Sequence, residues 1–489
     1  MDDLAHASAT ELLRQLSAGL VTAEELVRRL FERRARLDGR LNALVQIDHD
    51  GALREAARID SARAHGEPMG ALAGLPLSIK EAFHVRGLRT TAGAVHLKEN
   101  VAAEDAPAVS RLRAQGAIVL AKTNVPTFTA DWQTFNDVYG TTNNPWDEAR
   151  TPGGSSGGAA AALAARLVPA ELGSDLCGCI RVPAHYCGVF GHRSTYGLVS
   201  VRGHVPGDPA SRVEPDLASA GPMARSAADL RLLLRVLADP WIEPTRALDL
   251  SGETLGRGPA LRVLCWLDTP GHAVDVDLLH RYHEVLDRLA AHPWIRLEHG
   301  EPEEFSSAEL LELCMALTGR LMATAMSPIQ RLGAAVFSLG GRWAERLLDL
   351  PDGVLRFHRA MLESAAMHDA VDRRRRDCAE RVARFFERYD LLITPVSPCA
   401  AFPHDHGPLA RRRLHVNGAL VHYNEHLAWN ALATVVGLPA TVVPVGRTAH
   451  GLPCGLQVIG PRFADDRTLD LAELLEDLIA WREVPDGYA

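Results

Sequence analysis

Several features common in secreted, membrane-bound and nucleic-acid-binding proteins are missing from this 489-residue chain. It has no stretch of about 20 apolar residues, so no transmembrane helix is expected. Its N-terminus starts polar and acidic, unlike a secretory leader. The net charge of -9 argues against nucleic acid or an anionic membrane surface as the main partner. The eight cysteines are scattered and form no small disulfide framework, so we expect a cytoplasmic protein.

Linkers and repeats are also missing. No Pro/Gly/Ser-rich tract, low-complexity run or fixed-period repeat divides the chain. The composition, with 47% hydrophobic and 23% charged residues, is that of an ordinary globular protein. Length alone would allow several domains. The absence of a linker instead favours one continuous α/β domain over residues 1–489.

Lysine is rare in this chain, although its side chain can release a proton where that of arginine cannot. The chain has 49 arginines but only three lysines, Lys80, Lys98 and Lys122. Arginine replaces lysine at most surface positions, but not where a proton must leave the nitrogen, because the guanidinium stays protonated. Lys80 follows the apolar run 75–79, which reads as a buried strand and would favour a neutral amine. This scarcity indicates Lys80 as a proton-transfer residue.

The chemistry that is present concentrates between Thr151 and Pro183. This stretch opens with a glycine-flanked serine pair, Ser155 and Ser156, and closes with a second small-residue turn that reads GSDLCGCIR. The alanine-rich segment 159–167 joins the two turns and predicts a buried helix. Turns at the two ends of one helix can bring a nucleophile, a proton carrier and free backbone N–H groups together. Acyl transfer needs that arrangement.

These motifs resemble the amidase signature family. The resemblance rests on GLPLSIKE at 74–81, KTN at 122–124, NPWD at 144–147, the turns at 153–158 and 173–181, TP at 394–395, GLPA at 437–440 and GLQVIGP at 455–461. It covers nearly the whole chain except roughly 239–389. It implies a large twisted mixed β-sheet covered by helices on both faces. It also implies a cofactor-free and metal-free enzyme that cleaves a small-molecule amide or related acyl compound through a covalent acyl-enzyme.

Matched residue by residue, the resemblance assigns the catalytic roles to Lys80, to Ser155 in a cis peptide, and to Cys179 at the nucleophile position. A neutral Lys80 would accept the proton of Cys179 through Ser155 and return it to the leaving group. The oxyanion hole would use the backbone N–H groups of Leu176, Cys177, Gly178 and Cys179. Supporting residues would be Ser156, Ser174, Asp175 and Arg181, with Asp175 one carboxylate that could pair with Arg181. Substrate-binding residues would be Thr127, Trp132 and Gly154.

Cysteine at position 179, where the family has serine, leaves three interpretations open. A native thiol nucleophile ionises more readily than serine and forms a thioester, which reacts well with amines and would suit an amide-forming acyltransferase or transamidase. Alternatively, cysteine cripples turnover because the larger sulfur is misplaced. In the third interpretation the protein only binds a small molecule or a partner.

A second departure from the family is Cys177, which stands where a glycine is usual. It would strain the turn if that position needs φ > 0. The C-x-C spacing does not suit a metal site, whereas a regulatory disulfide stays open.

The segment of about 240–385 differs from the signature core of about 70–200, because it is rich in Leu, Arg and Glu at helical spacing. It predicts a helical insertion with helices over 278–289, 308–321, 341–348 and 366–389, which would shape the substrate pocket. Elsewhere, capping boxes at 8–11 and 22–25 predict helix starts. Strands are predicted at 43–47, 117–120, 391–393, 440–445 and 456–459. The resemblance also raises a homodimer as an oligomeric state.

Overall fold

The computed structural model describes residues 3–205, 213–252, 259–323 and 354–489. The strands are β1 Leu44–Ile47, β2 Pro76–Lys80, β3 Ile118–Thr123, β4 Phe135–Asn136, β5 Gly140–Thr141, β6 Ala170–Asp175, β7 Phe190–Arg193, β8 Ser219–Ala224, β9 Leu261–Cys265, β10 Ile295–His299, β11 Leu391–Pro395, β12 Arg413–Val416, β13 Ala419–His422, β14 Ala440–Arg447 and β15 Pro453–Ile459. The α-helices are α1 Asp3–His6, α2 Ala9–Ser17, α3 Ala23–Leu41, α4 His49–Ala64, α5 Pro107–Ala114, α6 Gly157–Ala164, α7 Arg181–Cys187, α8 Ala227–Leu237, α9 Val276–Ala290, α10 Ser307–Ala323, α11 Val354–Ala360, α12 Ala365–Arg388, α13 His426–Val436 and α14 Asp465–Ile479.

One mixed sheet of 11 strands, covered by helices on both faces, forms the centre of the fold. Its strand order is β1-β3-β2-β6-β8-β7-β14-β15-β11-β9-β10. Pairs such as β2–β3 and β2–β6 are parallel, whereas β6–β8 and β14–β15 are antiparallel. Two separate hairpins, β4–β5 and β12–β13, lie outside this sheet. The predicted α/β class with a large mixed sheet is confirmed.

Local sequence signals set the first helices as expected. The Ser8 side chain accepts a hydrogen bond from the Glu11 N–H at 3.1 Å at the start of α2. The Thr22 side chain accepts from the Glu25 N–H at 3.1 Å at the start of α3. Each cap satisfies a backbone donor that the helix itself leaves unpaired. The predicted helix starts are therefore confirmed by the Ser8 and Thr22 caps, whereas the carboxylates of Glu11 and Glu25 pair with Arg14 and Arg29.

The segment predicted as a helical insertion is only partly helical. Helices α9, α10 and α12 lie where three helices were predicted, and the fourth, over 341–348, lies outside the described residues. The same segment also contributes β9 and β10, which pair in parallel at one edge of the main sheet. Within β9, residues 263–265 are buried. A short apolar run fits a strand as well as a helix. Because the residues around these runs have helical periodicity, the sequence predicts helix for the whole segment.

The sheet brings the two motif-bearing segments together. Strands β2 and β6 are parallel neighbours, with Ser78 opposite Glu171. Their carboxyl ends, at Lys80 and Asp175, therefore lie side by side at the same end of the strands. Helix α6 begins directly after the serine pair, and all eight of its residues are buried. Alanine and glycine allow this helix to pack closely on the strands beneath it.

None of the helices in the described ranges has both the length and the apolar character that crossing a membrane requires.

Candidate active site

Lys80 and Ser155 form the centre of the site. Lys80 is fully buried at the end of β2, and its Nζ donates hydrogen bonds to Ser155 Oγ at 2.8 Å and to the Ser174 carbonyl at 3.0 Å. The Gly154–Ser155 peptide bond is cis. The structure thus brings together a lysine and a serine that lie far apart in the sequence, as the motifs led us to expect.

Burial determines the protonation of the lysine. It lowers the pKa of Lys80 to about 8, against the smaller opposing influence of nearby acidic groups, of which Cys179 is the strongest. An ammonium group taken out of water favours loss of its proton. The amine can therefore change protonation state near neutral pH, which a proton carrier requires.

The second turn follows β6 and is held by a buried carboxylate. Asp175 accepts hydrogen bonds from the N–H groups of Gly178 at 2.9 Å and Ile180 at 3.1 Å. It also pairs with Arg181 at 3.0 Å and Arg193 at 3.3 Å, and all three of these charged side chains are buried. Burial alone would raise the pKa of Asp175, but the charges of Arg181 and Arg193 hold it well below its ordinary range. The ionised carboxylate fixes the turn.

Three backbone donors of this turn remain open. Within the described part of the chain, the N–H groups of Leu176, Cys177 and Cys179 donate no hydrogen bond, whereas the N–H of Gly178 is already engaged by Asp175. The expected four-donor oxyanion hole therefore reduces to three free donors. Free N–H groups that converge on one point can stabilise a developing oxyanion.

Gly178, and not Cys177, takes the unusual backbone conformation in the turn. Its φ is +95°, and an added Cβ would lie 2.8 Å from Asn430 Cγ. Cys177 is absent from the described non-glycine residues with positive φ, so cysteine there does not strain the backbone. The conditional expectation of strain at position 177 is therefore not met.

Cys179 follows immediately and is partly exposed. Its carbonyl accepts a hydrogen bond from the Ser156 N–H at 3.1 Å, which ties the serine turn to the cysteine turn. Among the described residues, the Ser156 hydroxyl has one hydrogen-bond contact, with the Ser174 carbonyl at 3.5 Å. Ser156 therefore supports the geometry through its backbone.

Comparisons with known proteins agree with this geometry. The family model described as Amidase matches residues 25–469. The chain belongs to this family. It is 33% identical over 504 residues to a glutamyl-tRNA(Gln) amidotransferase subunit of Acidothermus cellulolyticus, covering 99% of this chain and 96% of that protein.

Among solved structures, the amidase is similar to 6-aminohexanoate cyclic dimer hydrolase complexed with substrate, with a TM-score of 0.81 and 25% identity over 99% of this chain and 100% of the other. It is also similar to the corresponding glutamyl-tRNA(Gln) amidotransferase subunit from Thermotoga maritima, with a TM-score of 0.74 and 26% identity over 97% and 95% of the two chains. The protein is thus an enzyme of the amidase signature type, which acts on carbon–nitrogen bonds other than peptide bonds.

The three expected substrate-binding residues lie in different surroundings. Trp132 donates through Nε1 to the Cys177 carbonyl at 2.9 Å, within the turn that follows β6. Gly154 has no room for a side chain, because a Cβ would lie 2.5 Å from the Asp131 carbonyl oxygen. Thr127 is exposed and its hydroxyl donates to the Gly93 carbonyl at 3.4 Å. The contacts thus connect Trp132 to the turn, but they connect Thr127 only to a neighbouring loop.

The amidase contains a histidine in this region that the motifs did not reveal. His204 Nε2 lies 2.8 Å from the hydroxyl of Ser174, the residue whose carbonyl accepts from Lys80. The His204 ring also packs edge-on against Phe83, three residues after the lysine. Burial, followed by the charge of Lys80, lowers the pKa of His204 to about 3, so the ring is neutral. It lies outside every matched motif, so no sequence signal marked it.

The three lysines separate clearly in the structure. Lys122 is as buried as Lys80, and burial lowers its pKa to about 8 as well. Its Nζ, however, donates to the Arg89 carbonyl at 2.6 Å and the Thr90 hydroxyl at 2.8 Å. Lys98 is exposed. The scarcity of lysine therefore indicates two buried amines, of which only Lys80 contacts a serine of the signature turns.

No group of three or more His, Cys, Asp or Glu side chains in the described ranges is arranged to hold a metal ion.

Proposed function

We propose that this amidase cleaves a small-molecule carboxamide, or a related hydrazide or ester, through a thioester on Cys179. The observation that carries the proposal is the hydrogen bond from buried Lys80 to Ser155 at 2.8 Å. The partly exposed thiol Cys179 is tied to the same serine turn through its carbonyl, which accepts from the Ser156 N–H at 3.1 Å. A base, a proton relay and a nucleophile are the groups that covalent acyl transfer requires.

In the proposed acylation step, the Cys179 sulfur attacks the substrate carbonyl carbon. Its proton passes through the Ser155 hydroxyl to neutral Lys80. The C–S bond forms, the C–N bond breaks, and the proton returns by the same route to the departing amine. Water or an amine then attacks the thioester carbon, the C–S bond breaks, and the proton returns to sulfur.

The free N–H groups of Leu176, Cys177 and Cys179 are proposed to stabilise the negative charge on the carbonyl oxygen. Buried Asp175 holds these donors in place through the Gly178 N–H. Removal of a single oxyanion donor in other acyl-transfer enzymes costs about 10²–10³ in rate.

A second candidate function is transfer of the acyl group to an amine. Two observations favour it: the relatives that are about one third identical are named as amidotransferase subunits, and a thioester reacts well with amines. Hydrolysis and transfer share the acylation step and differ only in the acceptor. The acceptor therefore decides between them.

The test is intact-protein mass after exposure to a panel of amides, hydrazides and activated esters. The parent is compared with Cys179→Ala and Cys179→Ser, and with Cys265→Ala as a matched control, because Cys265 is a buried thiol on β9. We expect an acyl adduct on the parent and on the control, and none on Cys179→Ala. Added amines then distinguish transfer from hydrolysis by the product formed.

Two results would contradict the thioester proposal. If Cys179→Ser turns over amides while the parent stays unmodified, cysteine is an inactivating replacement in a serine amidase. If no variant reacts with any compound, the protein binds without catalysis. A cytoplasmic location and a homodimer stay predictions, and light scattering of the purified chain tests the second.

A further inference from the structure

A pair of thiols connects helix α10 to the turn at residues 176–179, which carries the free N–H groups and is called the oxyanion turn below. Cys177 Sγ and Cys314 Sγ are 3.9 Å apart, although 137 residues separate them in the sequence. Cys314 is fully buried on α10, and Cys177 is partly exposed. Both are free thiols. The proposed mechanism uses neither sulfur.

The surroundings orient the Cys177 side chain toward α10. Its sulfur also lies 3.9 Å from the hydroxyl of Thr318, one helical turn after Cys314. Its main chain faces the other way: the carbonyl accepts from Trp132 at 2.9 Å, and the N–H is one of the free donors. Cys177 thus connects the oxyanion turn to the helix through its side chain alone.

We propose that Cys177 and Cys314 are an oxidation site, at which a peroxide converts the two thiols to a disulfide. One sulfur attacks the peroxide, so that an S–O bond forms, the O–O bond breaks and water leaves. The second sulfur attacks the resulting sulfenic acid, so that the S–S bond forms, the S–O bond breaks and a second water leaves. In sum, two thiols and one hydrogen peroxide give one disulfide and two waters.

The local charges favour this chemistry. The contact between the two sulfurs, with smaller help from Thr318 and the positive charge of Arg181, lowers the pKa of Cys314 despite its burial. The same contact raises the pKa of Cys177. The thiolate is the reactive form of a cysteine, and the lowered pKa favours that form at Cys314.

Disulfide formation would move the oxyanion turn. The sulfurs must approach from 3.9 Å to about 2.05 Å, the length of an S–S bond. We expect this displacement of about 1.9 Å to be shared among rotation of the two side chains, α10 and the turn that carries the free donors. A misplacement of about 1 Å in a reacting group costs about 10²-fold in rate. We expect oxidation to slow acylation by about this factor, a consequence that rests on the proposed function.

The experiment treats the full-length protein with hydrogen peroxide and maps linked peptides under non-reducing conditions. It is run first on Cys179→Ala, so that oxidation of the nucleophile cannot interfere and the result does not depend on activity. We expect the loss of two hydrogens in the intact mass and one linkage, between the peptides of Cys177 and Cys314. Cys314→Ser should abolish the linkage, whereas Cys378→Ser, at another buried helical cysteine, should not.

The activity measurement uses the parent and Cys314→Ser. Peroxide should lower the activity of the parent by about 10²-fold, and dithiothreitol should restore it. Oxidation of Cys179 still contributes in Cys314→Ser, so the loss that dithiothreitol reverses should be clearly smaller in that variant than in the parent. A linkage between Cys177 and Cys179, or no linkage, would overturn the proposed site. A mapped Cys177–Cys314 disulfide with unchanged acylation would overturn its effect on catalysis. If no variant acylates, the proposed function fails while the mapping still tests the site.

Discussion

Deprotonation of Lys80 should control the rate of acylation. Burial lowers the pKa of this lysine to about 8. With that pKa, about 1% of the amine is neutral at pH 6 and about 90% at pH 9. The rate should therefore rise about tenfold per pH unit below pH 8 and level off above it, since only the neutral amine accepts the proton of the relay.

Two lysine variants assign the titrating group. Lys80→Arg keeps a positive charge that does not dissociate, so we expect a loss of about 10²–10⁴-fold, the usual worth of a general base. Lys122→Met removes the other buried amine, which donates to the Arg89 carbonyl and the Thr90 hydroxyl instead of the relay. Its pH profile should match that of the parent, even if the variant is less stable.

The assay is single-turnover acylation by an activated aryl ester, quenched at intervals and read by intact-protein mass between pH 6 and pH 10. Lys98→Arg, at an exposed position, controls for the general effect of losing a lysine. A flat profile in the parent would refute the reasoning. So would an unchanged rise with pH in Lys80→Arg, because the titrating group would then be a group other than Lys80.

Three further predictions concern the turn and its neighbours. Gly178→Ala should lower the free energy of unfolding by about 1–3 kcal/mol in urea denaturation, because φ is +95° and the new Cβ would lie 2.8 Å from Asn430 Cγ; unchanged stability would show that the turn can move. Asp175→Asn breaks a buried ion pair and should lower the free energy of unfolding by about 3–5 kcal/mol in the same measurement. A decrease below about 1 kcal/mol would contradict the anchoring role of Asp175. His204→Ala removes the 2.8 Å contact with Ser174 and lets water approach Lys80, which raises the pKa of the lysine. The pH profile of acylation should therefore shift toward higher pH. A purely structural role of His204 would lower stability without that shift.

Much of the fold was predictable because its signals are local. The capping boxes at Ser8 and Thr22, the buried strand before Lys80 and the breaker-free alanine helix each depend on a few consecutive residues. Strands β9 and β10 were missed for the opposite reason, because short apolar runs join a sheet only when the partner strand is in place. The family resemblance added the pairing of Lys80 with Ser155.

The sequence by itself determined the chemical groups of this site: one lysine that arginine could not replace, a glycine-flanked serine, and a cysteine at the nucleophile position. Only the tertiary structure decided which partners these groups meet. Asp175 occupies the Gly178 N–H, His204 reaches Ser174, and Cys314 lies against Cys177. The last two contacts join a loop or turn residue to a residue of a strand or helix distant in the sequence, and their distances are set by how the whole sheet and its helices pack. No local pattern in the chain encodes them.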